Sequence, residues 1–410
     1  IVYVQGGGPA YDSPLDTNIE VGHGAAPGVE SVHFLSSFTG FVGSGGRALG
    51  GDTARPLIPA GGFDIRGGSF GATNLAKVEG FAIRGGITND PPNVATPPGS
   101  GISSLDVPTF HAADNDIRGS VSQGIVVYND SVGSATVRLS NNRVKGANSN
   151  GITILHERPE GVDLLVTGNR LLNNGEEGFG INLAVGTAPA GSRVEVSDNV
   201  ISANGFNGGK LIIDNTGSGP VTALVAGNRF LNNVEDGLNA AVGDDAIDLT
   251  VRDNRFSGNS SHGMNLTVDS DNGDSSNLVV TGNDFLDNTL NGLDLHLDVE
   301  DDGENTTLIE SNLFARNGAD GLYLDVDQDD AETVVITISG NQFLSNGDDS
   351  IELQSPGGDD LLRFRSTLDN VSRRAGSGLA LRDSSTGGTE GELLINGNTV
   401  NFPNPGDVAD

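Results

Sequence analysis

Carboxylates are the reactive side chains this sequence offers in quantity, with 55 Asp and Glu against 22 Lys and Arg and six His. The closest approach to a catalytic motif is NGDDSIEL at 346–353, where Asp348 and Asp349 stand side by side. Two adjacent carboxyls can divide the labour of general acid and general base if their surroundings separate their proton affinities. Acids recur in the same phase elsewhere, in NGADGLYL (317–324), NVEDGLNA (233–240) and NGEEGFGI (174–181). The pair is therefore read first as a habit of the local pattern, and Asp348 and Asp349 remain weak catalytic candidates. His23, His33, His111, His156, His262 and His296 show no pair at metal-ligand spacing and are read as surface or turn residues. No serine sits in a G-x-S-x-G elbow, and the absence of Cys removes thiol nucleophiles, disulfides and cysteine zinc sites together.

A second chemistry is suggested by four acidic segments: VGDDAID (242–248), DSDNGDSS (269–276), DVEDDGEN (298–305) and DVDQDDAE (325–332). Carboxylates ranked close together repel, and solvation, salt or a hard divalent cation with oxygen ligands relieves the repulsion. Calcium is the candidate ion, with Asp269, Asp271, Asp274, Asp298, Glu300, Asp302, Asp325, Asp327 and Asp329 as candidate ligands bridging neighbouring loops. A solvated acidic ridge is the alternative. Asp325, Asp327 and Asp329 alternate as in a calcium loop, but no glycine and terminal glutamate complete an EF-hand.

The elements that would carry these groups follow from a repeat. Asn115, Asn142, Asn169, Asn199, Asn228, Asn254, Asn283, Asn312, Asn341, Asn370 and Asn398 recur at intervals of 26 to 30 residues, all but Asn370 with an apolar residue two positions later. A second asparagine follows five positions on in seven consecutive repeats, from Asn174 to Asn346, and a glycine nine positions on in eight, from Gly124 to Gly321. Apolar residues alternate before the asparagine (Val194 and Val196; Ile336 and Ile338) and after the glycine (Leu293, Leu295 and Leu297), which is the period of a strand. Units of about 28 residues with three short strands bury their inward residues by coiling and stacking on one another. The expected fold is all-β, a right-handed single-stranded parallel β-helix of roughly 14 coils and on the order of 70 Å. Its asparagines from Asn115 to Asn341 are expected to bond along one column, taking the left-handed backbone of a sharp bend. The recurring glycine is expected to permit positive φ and close approach of the next coil. Phe230, Phe256, Phe285, Phe314 and Phe343 share one slot and are expected to stack inside.

The pattern N-x-[VILF]-x-x-N-x-x-x-G-[ILFM], as in NRFLNNVEDGL (228–238) and NDFLDNTLNGL (283–293), resembles the repeats of the pectate-lyase-like superfamily. The segments IVYVQGGG, FVGSGG (41–46) and VEGFAIRGG (78–86) look like the first coils of large bacterial extracellular proteins. That resemblance implies the fold and an extracellular or cell-surface location, but leaves activity open, because the superfamily mixes enzymes with non-catalytic modules. Asp348 and Asp349 resemble the paired aspartates of polygalacturonases, yet no downstream histidine or lysine completes that family's motifs.

Residues 1–109 read as irregular first coils with a Pro-rich loop near 89–101, 110–402 as the regular repeats, and 403–410 as a tail or the start of a linker. The strand at Ile1 to Val4 would leave an open edge, which upstream sequence or a neighbouring chain is expected to cap. A net charge of −33 opposes nucleic acid and anionic membrane as partners, and the apolar runs are too short to span a bilayer. The excess is uneven: residues 1–200 hold 19 acidic and 12 basic side chains, 201–400 hold 34 and 10. The reading leans away from catalysis, towards a non-catalytic structural or adhesive surface module whose partners are other surface proteins, copies of itself or glycans. The rivals are a polysaccharide lyase or glycoside hydrolase acting on an acidic glycan, with its site among loops 244–349, and a self-assembling filament or lattice component.

Overall fold

The computed structural model describes residues 62–66, 75–85, 99–130, 133–157, 161–185, 191–216, 221–244, 246–270, 275–299, 304–328 and 333–355. Isolated strands are described on either side, from Val2–Val4 to Leu57–Ile58 and from Leu361–Thr367 to Thr399–Asn401. Three all-parallel sheets of 14, 13 and 13 strands run along the molecule, and successive turns of chain visit them in the same order. One turn shows the plan. Val221–Ala226 lies in the first sheet, Arg229–Leu231 in the second and Leu238–Asp244 in the third. Ile247–Arg252 then returns to the first sheet beside its predecessor, pairing Val221 with Ile247 and Val225 with Val251. The expected all-β parallel β-helix is thus the observed one, and no helix occurs among the described residues.

Alternation drives the coiling. In Ile247–Arg252, Ile247, Leu249 and Val251 point inward while Asp248 and Arg252 face solvent. A single coil leaves those inward residues uncovered above and below, so burial requires its neighbours. Phe230, Phe256, Phe285, Phe314 and Phe343 form the expected interior column, with ring centroids 4.8–5.0 Å apart and planes within 7° of parallel. Each ring covers the next at the spacing of adjacent strands.

The asparagine column runs unbroken from Asn115 to Asn341. At each step an Asn Nδ2 donates to the next Oδ1 at 2.9–3.1 Å. The same oxygen also accepts the preceding asparagine's backbone N–H, as Asn254 Oδ1 does from Asn228 at 2.9 Å. Asn370 and Asn398 lie outside the described residues. The second asparagine forms a column of its own from Asn174 to Asn346, each Nδ2 bonded to the next Oδ1 at 3.0 Å.

Two conformational expectations need correction. The left-handed residue is not the ladder asparagine but the one before it: Asn141, Gly168, Asp198, Gly227, Asp253, Gly282, Ser311 and Gly340 have φ of 55–67°. The bend is made one residue early, which leaves the asparagine free to turn its amide inward along the column. The recurring glycines, such as Gly263 and Gly292, do not take positive φ. Their role is close approach alone: a Cβ on Gly292 would stand 2.6 Å from Gly321 O and 2.9 Å from Asn317 Nδ2.

Candidate functional site

Residues immediately before the recurring glycine line a turn column that feeds the third sheet: Asn150, Glu177, Asn207, Asp236, His262, Asn291 and Asp320, with Asp349 in the same slot before Ser350. Several act as rungs. Asn207 Oδ1 accepts from Asp236 N at 3.0 Å, Asp236 Oδ1 from His262 N at 2.9 Å, Asn291 Oδ1 from Asp320 N at 3.0 Å, and Asp320 Oδ1 from Asp349 N at 2.8 Å. Strand register sets a second outward row beside this column: Asn239, Asn265, Asp294, Tyr323 and Glu352 are Cα partners in succession. A third row holds Thr267, His296, Asp325 and Gln354.

These rows converge on two groups. Asp320, Asp349 and Glu352 are buried, with one carboxylate oxygen from each within 4.8 Å of the others. Burial, joined by the charges of Glu352, Asp348 and Asp349, pushes the Asp320 carboxyl up to about 6, against the lowering effect of its bond from Asp349 N. Near neutrality Asp320 holds its proton part of the time. The trio is also a set of oxygens that a hard divalent cation could share. The second group is centred on Asp294. Its Oδ2 accepts from Asn291 Nδ2 at 2.8 Å and lies 3.2 Å from His262 Nδ1, while Oδ1 lies 2.9 Å from His296 Nε2. His296 Nδ1 in turn faces Asp325 Oδ2 at 3.4 Å, and its ring centroid is 6.0 Å from that of Tyr323. Burial, then the charges of Asp325 and Asp294, raise the Tyr323 hydroxyl above its ordinary range.

Of the residues expected to do chemistry, Asp349 is buried in the carboxylate trio and Asp348 is exposed, so the adjacent pair stands in two different surroundings. Asp325 faces His296, whereas Asp269, Asp298 and Asp327 are in-register partners in one row further along the strands. Asp271, Asp274, Glu300, Asp302 and Asp329 lie outside the described residues. The histidine reading needs correction. His156 is buried, and His262 and His296, 34 positions apart, both reach Asp294. His262 stands one residue before its glycine and His296 four after the next, and aligning repeats by phase places those slots side by side.

Linkage gives a pH prediction. An acid whose folded pKa lies near 6, against 3.8 ordinarily, favours folding fully below the unfolded value, and that contribution is lost as pH rises through about 6. Asp320→Asn keeps the oxygen that Asp349 N needs and removes the buried charge. The variant is expected to be more stable than the parent at neutral pH by on the order of 2 kcal/mol, the gap closing towards pH 4, in denaturant titrations across that range.

Against known proteins, the family model described as right handed beta helix region matches residues 100–296 and 211–406. No curated protein matches the chain in sequence. Among solved structures it is similar to the Azotobacter vinelandii mannuronan C-5 epimerase AlgE6 A-module, at 11% identity and a TM-score of 0.33, covering 89% of this chain and 88% of that one. A likeness of that degree says nothing about activity. Together the two family matches run from residue 100 to 406, most of the sequence, and the chain belongs to the right-handed beta helix family.

Proposed function

We propose that the chain is a non-catalytic structural and adhesive module, carried at the cell surface of a bacterium, which presents the outer face of its third sheet to a partner. The observation that carries this reading is the employment of Asp320. It is the most active-site-like carboxylate, with a raised proton affinity, yet its Oδ1 accepts the Asp349 N–H as a rung, continuing a column that Asn207, Asp236 and Asn291 fill in other coils. A side chain engaged between coils holds the rod together and is poorly placed to follow a reacting substrate. The location rests on the resemblance to bacterial extracellular β-helix proteins.

A glycan-cleaving enzyme is the second reading, favoured by the raised Asp320 carboxyl beside Asp349 and Glu352. Electrostatics weigh against an acidic glycan as its substrate. From Phe256 to Leu362 the sequence has one Lys or Arg, Arg316, and Asp287 holds it in a two-pronged bond at 2.6 and 2.8 Å. One experiment separates the readings. The purified chain is incubated with a panel of neutral, acidic and basic glycans, following both retention and the release of reducing or unsaturated ends. Retention without release is the expected result. Release that disappears in Asp320→Asn would establish the enzyme instead.

A further inference from the structure

Four arginines share one row on the outer face of the second sheet. Arg143 is the in-register partner of Arg170 and Arg229 that of Arg255, with Val200 joining the two pairs. Among the described residues Arg84, Arg118, Arg138, Arg193, Arg252 and Arg316 each hold a carboxylate in a salt bridge, and none of the four in this row does. The chain has 55 acidic side chains to 22 basic ones, so carboxylates are not in short supply. Like charges opposite one another on paired strands repel, and the row is a cost to the isolated chain. The third sheet carries a counterpart of opposite sign, Asp269, Asp298 and Asp327, again in successive register. A third feature lies between the two. The large apolar side chains exposed among the described residues are Val121, Phe206, Val234 and Leu290, and all four stand in turns that leave the second sheet for the third. Phe206 and Val234 follow directly on the strands of Val200 and Arg229, beside the arginine row.

Apolar side chains flanked by charge are the anatomy of a protein interface, an apolar centre within a polar rim. A plain polyanion would engage the arginines and leave Phe206 and Val234 in water. A protein partner must instead offer carboxylates that repeat at the spacing of the coils, about 4.8 Å. The row of Asp269, Asp298 and Asp327 has that spacing because it is built on the same ladder of strands. Guanidinium and carboxylate can then pair rung for rung in charge-assisted bonds, and each row relieves the repulsion within the other. Such a contact joins different faces of two copies and is heterologous, so each copy keeps a free arginine row or a free aspartate row for the next.

We propose that the arginine row on the second sheet of one copy docks on the aspartate row on the third sheet of a second copy, with the exposed apolar turns packed at the contact. The proposal rests on the adhesive reading and names its partner as the chain itself. Sedimentation velocity of the full chain from micromolar to millimolar concentration tests it. The salt is held at about 0.15 M, where the repulsion between copies of charge −33 is screened beyond about 8 Å. The parent is expected to associate as concentration rises. Arg170→Glu with Arg229→Glu, and separately Asp298→Lys with Asp327→Lys, should each weaken association at least about tenfold, because like charges are brought together at the contact. Either variant decides should the other fail to fold. An equimolar mixture of the two should associate again, since the second supplies an intact arginine row and the first an intact aspartate row. Arg193→Glu with Arg252→Glu, the same charge change on the first sheet, should leave association unaltered. The inference is overturned by a parent that stays monomeric, by equal weakening from the first-sheet variant, or by a mixture that does not recover. Capture of inorganic polyphosphate by the arginine row without association of copies also overturns it. A monomeric chain that still adheres to glycans leaves the adhesive reading standing and ends this inference alone.

Discussion

Replacing Asn254 with alanine is expected to destabilise the surrounding coils by about 3–5 kcal/mol, since each buried polar group left without a partner costs about 1–3 kcal/mol. Asn254 Oδ1 accepts from Asn228 N at 2.9 Å and Asn228 Nδ2 at 3.0 Å, while its own Nδ2 donates to Val225 O at 2.8 Å and Asn283 Oδ1 at 3.0 Å. Alanine deletes all four bonds, and both asparagines are buried, so water cannot replace them. Stacked repeats need not unfold in one step, so the effect is best read by amide hydrogen exchange. Protection should fall in the coils of Asn228, Asn254 and Asn283 and change little near Asn142. Undiminished protection around Asn254 would mean the ladder contributes nothing to stability.

The second large effect is expected from Gly292→Ala. The new methyl would lie 2.6 Å from Gly321 O and 2.9 Å from both Asn317 Nδ2 and Phe314 Cδ1. Two of these belong to the next coil's backbone and its asparagine column, which cannot swing aside as an exposed side chain would. The coils must part or tilt, with a loss of about 3 kcal/mol or more, at the upper end of overpacking. Gly282→Ala is an informative contrast. That residue has φ of 66°, and an added Cβ would stand 3.0 Å from the Asp253 carboxylate, so its loss arises from backbone strain. A melting curve for Gly292→Ala indistinguishable from the parent's would contradict the close approach of these coils.

The fold was legible because burial and bonding impose the same constraint on every coil. Phe230 to Phe343 occupy one slot, where each ring stacks on the next, and Asn115 to Asn341 occupy another since each amide must meet the next. Backbone conformation was less legible. The left-handed position before the ladder asparagine admits Gly, Asn, Asp and Ser, so its composition is diluted, whereas the recurring asparagine beside it stands out. The candidate site was legible only in part. Asp349 stood out as half of a doublet, but its partners Asp320 and Glu352 sit 29 residues before and three after it. The same is true of His262, Asp294 and His296, whose meeting depends on register between adjacent coils and on no local motif. Repeat phase, applied to polar outward slots as it was to apolar inward ones, contains that information.

All of these assignments depend on coils lying in the stated register. The chain has no cysteine, so pairs can be introduced without interference. Thr222 and Asp248 are exposed in-register partners on adjacent strands of the first sheet, at about the 4.8 Å spacing of neighbouring strands and within reach of a disulfide. Thr222 and Thr250 are two residues out of register, at about 8 Å, beyond that reach. Under mild oxidation the Thr222→Cys, Asp248→Cys variant should close its disulfide and the Thr222→Cys, Thr250→Cys variant should retain free thiols. Closure in the second and not the first would contradict the register on which the ladders and the candidate site both stand.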